Sequence, residues 1–147
     1  MKLAIAVALS HHAKLLILDE PTSGLDPFMR DEILDILYEF TRAEDQSVLI
    51  SSHIVSDLER LCDYIAYIDQ GSLKLYEEKD RLIEQYGILK CSKEELKEFD
   101  EQAVKGVRKN SYGVEALVDK LKMPKDYKTD MATLEEIIVF LSKGQEE

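Results

Sequence analysis

Leu15-Leu16-Ile17-Leu18 is an unbroken apolar run that stops at Asp19-Glu20-Pro21. That is the pattern of a strand buried on both faces, as in a parallel sheet. Ser47-Val48-Leu49-Ile50-Ser51 reads as a second short buried strand. Between them, from Asp31 to Arg42, Ile33, Leu34, Leu37 and Phe40 recur at helical spacing with Ile36 beside them. The segment is acidic at its start and ends on Arg42, as the helix dipole prefers. Met1 to Ser10 is apolar nearly all round and predicts a buried helix. Val55 to Cys62 predicts another, with Val55, Leu58, Leu61 and Cys62 on one face. Pro21, Gly24 and Pro27 punctuate a loop after the first strand.

The pattern then changes. Tyr64 to Ile68 and Ser72 to Tyr76 flank Asp69-Gln70-Gly71 and predict a β-hairpin. Past Tyr76 the chain is rich in Lys and Glu, and a boundary is placed between Glu77 and Asp80. Residues 1–76 and 77–147 are thus read as a main and an accessory part. In the accessory part, Ile88 to Cys91 and Val104 to Lys109 predict strands. Ser92, with Glu95 three residues on, predicts a capped helix to about Glu101. Val114, Leu117, Val118 and Leu121 have helical spacing. Thr133, with Glu136 three residues on, caps a last helix with Leu134, Ile137, Ile138 and Leu141 inward.

A length of 147 residues allows one core, or a core with a small appendage. The formal charge is -11, and the acidic excess is shared: 6 basic against 13 acidic residues up to Tyr76, and 13 against 17 beyond it. Neither part is basic, which argues against a nucleic-acid partner. No apolar run approaches the roughly 20 residues that a membrane-spanning helix needs. Cys62 and Cys91 lie far apart and in no metal-ligand spacing. They read as reduced, buried thiols of a cytoplasmic protein.

A buried strand ending in two acids has a chemical use, because it holds carboxylates rigidly at the edge of a sheet where ligands of open α/β sheets bind. Asp19 is suited to accept from a water on Mg²⁺ or to ligate the ion weakly. Glu20 is suited to polarise an attacking water. Asp26, just before Pro27, also fits the N-cap of the next helix. Alone, His53 would be a capping or surface histidine, and its place after Ser51-Ser52 at the end of the next strand is what raises its interest. His11 and His12 have no partner pattern and read as exposed polar residues.

Leu18-Asp19-Glu20-Pro21-Thr22-Ser23-Gly24-Leu25-Asp26-Pro27 resembles the Walker B segment and D-loop of ABC-type ATPases, and Ser51-Ser52-His53 resembles their switch histidine. The resemblance covers Met1 to about Tyr76. It implies an α/β fold: the C-terminal half of a P-loop NTPase (RecA-like) sheet with flanking helices and a β-hairpin, plus a small α+β extension. It implies that Asp19 supports Mg²⁺ through water. Glu20 would be the catalytic carboxylate, and His53 would contact the γ-phosphate of ATP and link it to Glu20. Ser23, Gly24, Leu25 and Asp26 would lie along the interface with a second ATPase subunit, in a homo- or heterodimer.

No Gly-x-x-x-x-Gly-Lys-Ser/Thr and no Leu-Ser-Gly-Gly-Gln type segment occurs in the sequence. The expectation is therefore a fragment that begins just after the latter segment and neither binds ATP tightly nor hydrolyses it alone. Its incomplete sheet would expose apolar side chains and favour self-association. Glu77 to Glu147 resembles the C-terminal extension of ATPase subunits in ABC-2-type exporters, read as a stabilising or dimerising appendage. The resemblance implies a separate membrane permease and a place on the cytoplasmic face of the cell membrane. The other readings are a soluble ABC-type ATPase of DNA repair or translation and a truncated, non-enzymatic interaction module. Charge and the exporter-like tail argue against the DNA repair or translation reading.

Overall fold

The computed structural model describes residues 2–110, 113–124 and 126–143. The chain divides into two compact units after Cys62. The sequence places its boundary near Glu77, where composition shifts, whereas the fold groups the hairpin with the C-terminal elements.

The first unit runs α1 (Lys2–Ser10), β1 (Leu15–Asp19), α2 (Pro27–Thr41), β2 (Ser47–Ser51) and α3 (Val55–Leu61). β1 and β2 pair in parallel, from Leu15 opposite Ser47 to Asp19 opposite Ser51. Parallel neighbours need a crossover, and α2 supplies it. This helix starts four residues before the patterned segment, at Pro27. Asp26 caps it, its carboxylate accepting from the Met29 amide at 3.1 Å, and Pro27 needs no amide partner in a first turn. The acids from Asp31 on therefore lie outside its first turn, and the dipole reading of its start does not hold.

Ile33, Leu34 and Leu37 on α2 are buried, and Ile33 and Leu37 share a core with Ile5, Leu16 and Leu61. Leu9, Leu18, Phe40, Val48 and Ile50 pack around it. Two expectations fail here. The helix α1 buries Ile5 but leaves Leu3 and Val7 exposed, so one stripe packs rather than the whole circumference. β1 is covered on one face only: Leu16 is inside, while Leu15 and Ile17 are exposed, Ile17 at 71%, with Leu49 of β2 likewise bare. An unbroken apolar run marks a strand that can be covered twice, but it takes a second layer to cover it.

The second unit opens with a hairpin, β3 (Tyr64–Asp69) and β4 (Ser72–Glu78). Gln70 and Gly71 both take positive φ, 47° and 73°, as a two-residue turn matched to strand twist requires. Then come α4 (Lys79–Gln85), β5 (Tyr86–Cys91), α5 (Lys93–Leu96), β6 (Val104–Asn110), β7 (Gly113–Asp119), a short 3-10 turn at Lys120–Lys122, β8 (Asp130–Met131) and α6 (Leu134–Lys143). The last four strands form one antiparallel sheet in the order β6-β7-β5-β8.

The segment with helical spacing at Val114, Leu117, Val118 and Leu121 is in fact the strand β7, paired on both sides. Ala116, Leu117 and Val118 are all fully buried, so both faces are covered, while Leu121 is 84% exposed in the turn beyond. A short continuous apolar run fits either period, and β7 shows the strand winning. Ala116 and Val118 pack with Leu89, Val104 and Phe99 on one face. Helix α6, with Leu134, Ile137 and Phe140 buried, packs on β6 and β7. Its approach is close at Gly106, where an added methyl would sit 2.5 Å from the Phe140 carbonyl oxygen. The Ser92–Glu95 capping box is present, but α5 is a single turn rather than a helix reaching Glu101, with Phe99 turned into the core. Thr133 and Glu136 cap α6 as expected, the Thr133 hydroxyl oxygen accepting from the Glu136 amide at 3.2 Å.

Cys62 and Cys91 are half-buried thiols. Burial, and then the nearby Glu95 carboxylate, push the Cys91 thiol above its ordinary range. No described helix is long and apolar enough to cross a membrane.

Candidate functional site

The parallel register puts the ends of β1 and β2 side by side, and the two strand tips carry the sequence-predicted acids and histidine. The Ser51 hydroxyl donates to the Asp19 carboxylate. The Glu20 amide donates to the Ser51 carbonyl at 3.0 Å, extending the ladder one residue past β1. Glu20 itself turns into the left-handed region, φ 46°, a conformation that costs a non-glycine residue about 1–2 kcal/mol. Such a conformation persists only where its surroundings hold it, and here they do.

The Glu20 carboxylate is held by one residue from two sides. The His53 backbone amide donates to Oε1 at 2.9 Å, and the imidazole Nδ1 lies 2.7 Å from Oε2. An ionised carboxylate only accepts, so Nδ1 carries the proton and donates. That leaves the Nε2 edge of an exposed ring for other partners; the His53 side chain is 69% accessible. The backbone after His53 is fixed in turn, since the Ser52 hydroxyl oxygen accepts from the Ile54 amide at 3.0 Å just ahead of α3.

Asp19, Glu20 and His53 are therefore brought together at one sheet edge. Ser23, Gly24, Leu25 and Asp26 form the loop from β1 to α2. The Ser23 amide donates to the Glu20 carbonyl at 3.2 Å, and Gly24 takes φ 71° in open space. Ser23, Gly24 and Asp26 are exposed, and Asp26 is committed to capping α2.

Three residues near this edge are given no role by the sequence reading, although Thr22 lies within the segment that resembles Walker B and the D-loop. Asp57, in the first turn of α3, is 1% exposed although the pattern draws the apolar face of that helix through Val55, Leu58, Leu61 and Cys62. It accepts from the buried Thr22 hydroxyl at 2.6 Å and from Arg30 Nε at 2.7 Å. Arg30 also reaches Ser56 Oγ at 2.7 Å. A single acid in a helix's first turn looks like a dipole partner, and only the fold brings Thr22 and Arg30 to it. Nearby, Arg60 pairs with Asp31 and Asp35. The shallow cavity of about 250 Å³ between α2 and α3, with Arg30, Leu34, Asp57 and Arg60 in its wall, includes none of Asp19, Glu20 and His53.

Chemically, the edge offers oxygen donors and an imidazole but no phosphate cradle. Among the described residues no three His, Cys, Asp or Glu side chains cluster as a metal cage. That donor set suits Mg²⁺, which is held through one or two carboxylates while keeping waters and substrate phosphates. It does not suit an ion bound by protein alone. Arg30, the cation beside the loop, is taken up by Asp57.

The segment that carries these residues is similar to known proteins. A family model described as an AAA domain, putative AbiEii toxin, Type IV TA system, matches residues 2–56. The lantibiotic transport ATP-binding protein SrtF of Streptococcus pyogenes is 46% identical over 79 residues, 54% of this chain and 34% of that protein. The bacitracin transport ATP-binding protein BcrA of Bacillus licheniformis is 44% identical over 72 residues, 49% of this chain and 24% of that one. The ABC transporter ATP-binding protein YtrB of Bacillus subtilis is 33% identical over 85 residues, 58% of this chain and 29% of its own. The chain thus spans between a quarter and about a third of the length of these relatives. Over about half of its own length, this chain is similar to the ATP-binding proteins of ABC transporters.

Proposed function

We propose that the first unit supplies the hydrolytic edge of an ABC exporter ATPase site and that a separate membrane permease uses the energy released. The observation that carries this reading is the Glu20 carboxylate held by both the amide and the ring of His53 at adjacent strand tips. Phosphoryl transfer depends mostly on positioning and charge stabilisation, so a rigid carboxylate–imidazole pair is useful there.

In this reading Asp19, held by Ser51, would support Mg²⁺ through a water. Bound Mg²⁺ would neutralise phosphate charge. Glu20 accepts two N–H bonds from His53 and keeps lone pairs with which to orient an attacking water and take its proton. The Nδ1 bond to Glu20 fixes the ring, so that Nε2 is the atom His53 offers to a γ-phosphate oxygen. The exposed Ser23, Gly24 and Asp26, with Leu25, would face a second ATPase subunit. The protein would act on the cytoplasmic face of the membrane, with residues 77–147 as a stabilising or dimerising appendage.

The 147 residues contain no phosphate loop. Asp19, Glu20 and Asp26 present negative charge to an anion, and such charges repel unless Mg²⁺ intervenes. The chain by itself should therefore neither bind Mg-ATP tightly nor turn it over. Isothermal calorimetry should show no saturable binding at micromolar concentrations. Micromolar affinity for Mg-ATP would mean that the chain holds phosphates by residues other than those proposed.

A further inference from the structure

The loop after Glu20, the first turns of α2 and the helix beyond His53 all meet at one buried carboxylate. Thr22 stands two residues after Glu20, Arg30 in the first turns of α2, and Asp57 four residues after His53. Thr22 is as buried as Asp57, each 1% exposed. Thr22 Oγ1 donates to Asp57 Oδ2 at 2.6 Å, while Arg30 reaches Oδ1 through Nε at 2.7 Å and Nη2 at 2.5 Å.

A buried carboxylate is costly unless it is paired and its lone pairs are used. A Leu at position 57 would fill the space without that cost. What the carboxylate adds is direction: its two oxygens take their partners from two different segments, so it fixes the loop, α2 and α3 relative to one another as apolar packing would not. The Thr22–Asp57 bond ties the loop after Glu20 directly to α3. We propose that Asp57, through Thr22 and Arg30, is a positioning residue that keeps the Glu20 carboxylate within reach of His53. This rests on the assignment of Glu20 and His53 made above.

The clamp predicts a selective effect. Thr22→Val keeps the shape of the side chain and removes the donor. The His53 amide, whose partner is Glu20 Oε1, reports the clamp directly in hydrogen exchange measured by NMR on the full chain. Glu20→Ala sets the unclamped limit. In Thr22→Val, His53 amide exchange should rise about tenfold towards that limit while the core amides of Ile33 and Leu37 stay within about twofold of the parent. Asp57→Asn should do the same, and Thr22→Ser, which restores the hydroxyl, should restore protection.

Unchanged His53 exchange in Thr22→Val and Asp57→Asn would overturn the proposal. So would acceleration of all amides of the unit together, which is the signature of lost stability. The readout needs no nucleotide. Failure of the ATPase reading would appear as normal ATP turnover by Glu20→Gln, in a chimera that adds the unmatched portion of the lantibiotic relative, with the His53 clamp intact; failure of the positioning reading would appear as an unmoved His53 amide.

Discussion

Glu20→Gln should lower ATP turnover by about 10²–10⁴-fold while leaving Mg-ATP binding within about threefold. The protein for this test is a chimera in which the portion of the lantibiotic relative that this chain does not match is joined to it. Gln has the shape of Glu and can still accept the His53 amide through its carbonyl oxygen. It cannot take a proton from water, and its NH₂ group meets the donating Nδ1 of His53, so the ring must change tautomer or turn away. Both losses fall on the reacting end of the site and neither on groups that would bind the nucleotide. The expected signature is a lower kcat with KM little changed. Normal turnover by Glu20→Gln would remove Glu20 from the reaction.

Arg30→Ala should destabilise the first unit by about 3 kcal/mol, the lower end of the range for breaking a buried ion pair, because Arg30 is partly open to water. The substitution leaves the fully buried Asp57 carboxylate with Thr22 and no cation. Urea unfolding monitored at the amides of α2 would measure it. The triple variant Arg30→Met, Asp57→Leu, Thr22→Val leaves no buried charge and no orphaned hydroxyl at this position in the first unit, so it should recover most of the lost stability. It should not recover the His53 clamp. A change of less than about 0.5 kcal/mol in Arg30→Ala would show that water or another group already satisfies Asp57.

The strand tips are legible in the sequence for a physical reason. Apolar runs ending in Asp19-Glu20 and in Ser51-Ser52-His53 leave little choice about where the polar groups emerge, and the parallel register then brings them together. The hairpin is legible because Gln70-Gly71 meets the need for positive φ in a tight turn. How many faces of an element are covered is not legible. The runs at Leu3–Leu9 and Leu15–Leu18 carry apolar residues for a second layer that the described residues do not provide, so Leu3, Val7, Leu15 and Ile17 stay exposed. Val114 to Leu121 misleads because Ala116-Leu117-Val118 is apolar at every position, which erases the period that would separate strand from helix. The contacts of Asp57 escape for a related reason. Its partners Thr22 and Arg30 lie 35 and 27 residues away, and no local pattern connects them.

The central claim is that Glu20 and His53 act as one unit on ATP. A double-mutant cycle of Glu20→Gln and His53→Ala on ATP turnover by the chimera tests it most directly. Groups that act together lose their effect together, so the double variant should be no slower than the slower single variant within about threefold. Losses that multiply, each variant contributing its full factor in the double, would mean that the two side chains work independently and that their contact at the strand tips is incidental.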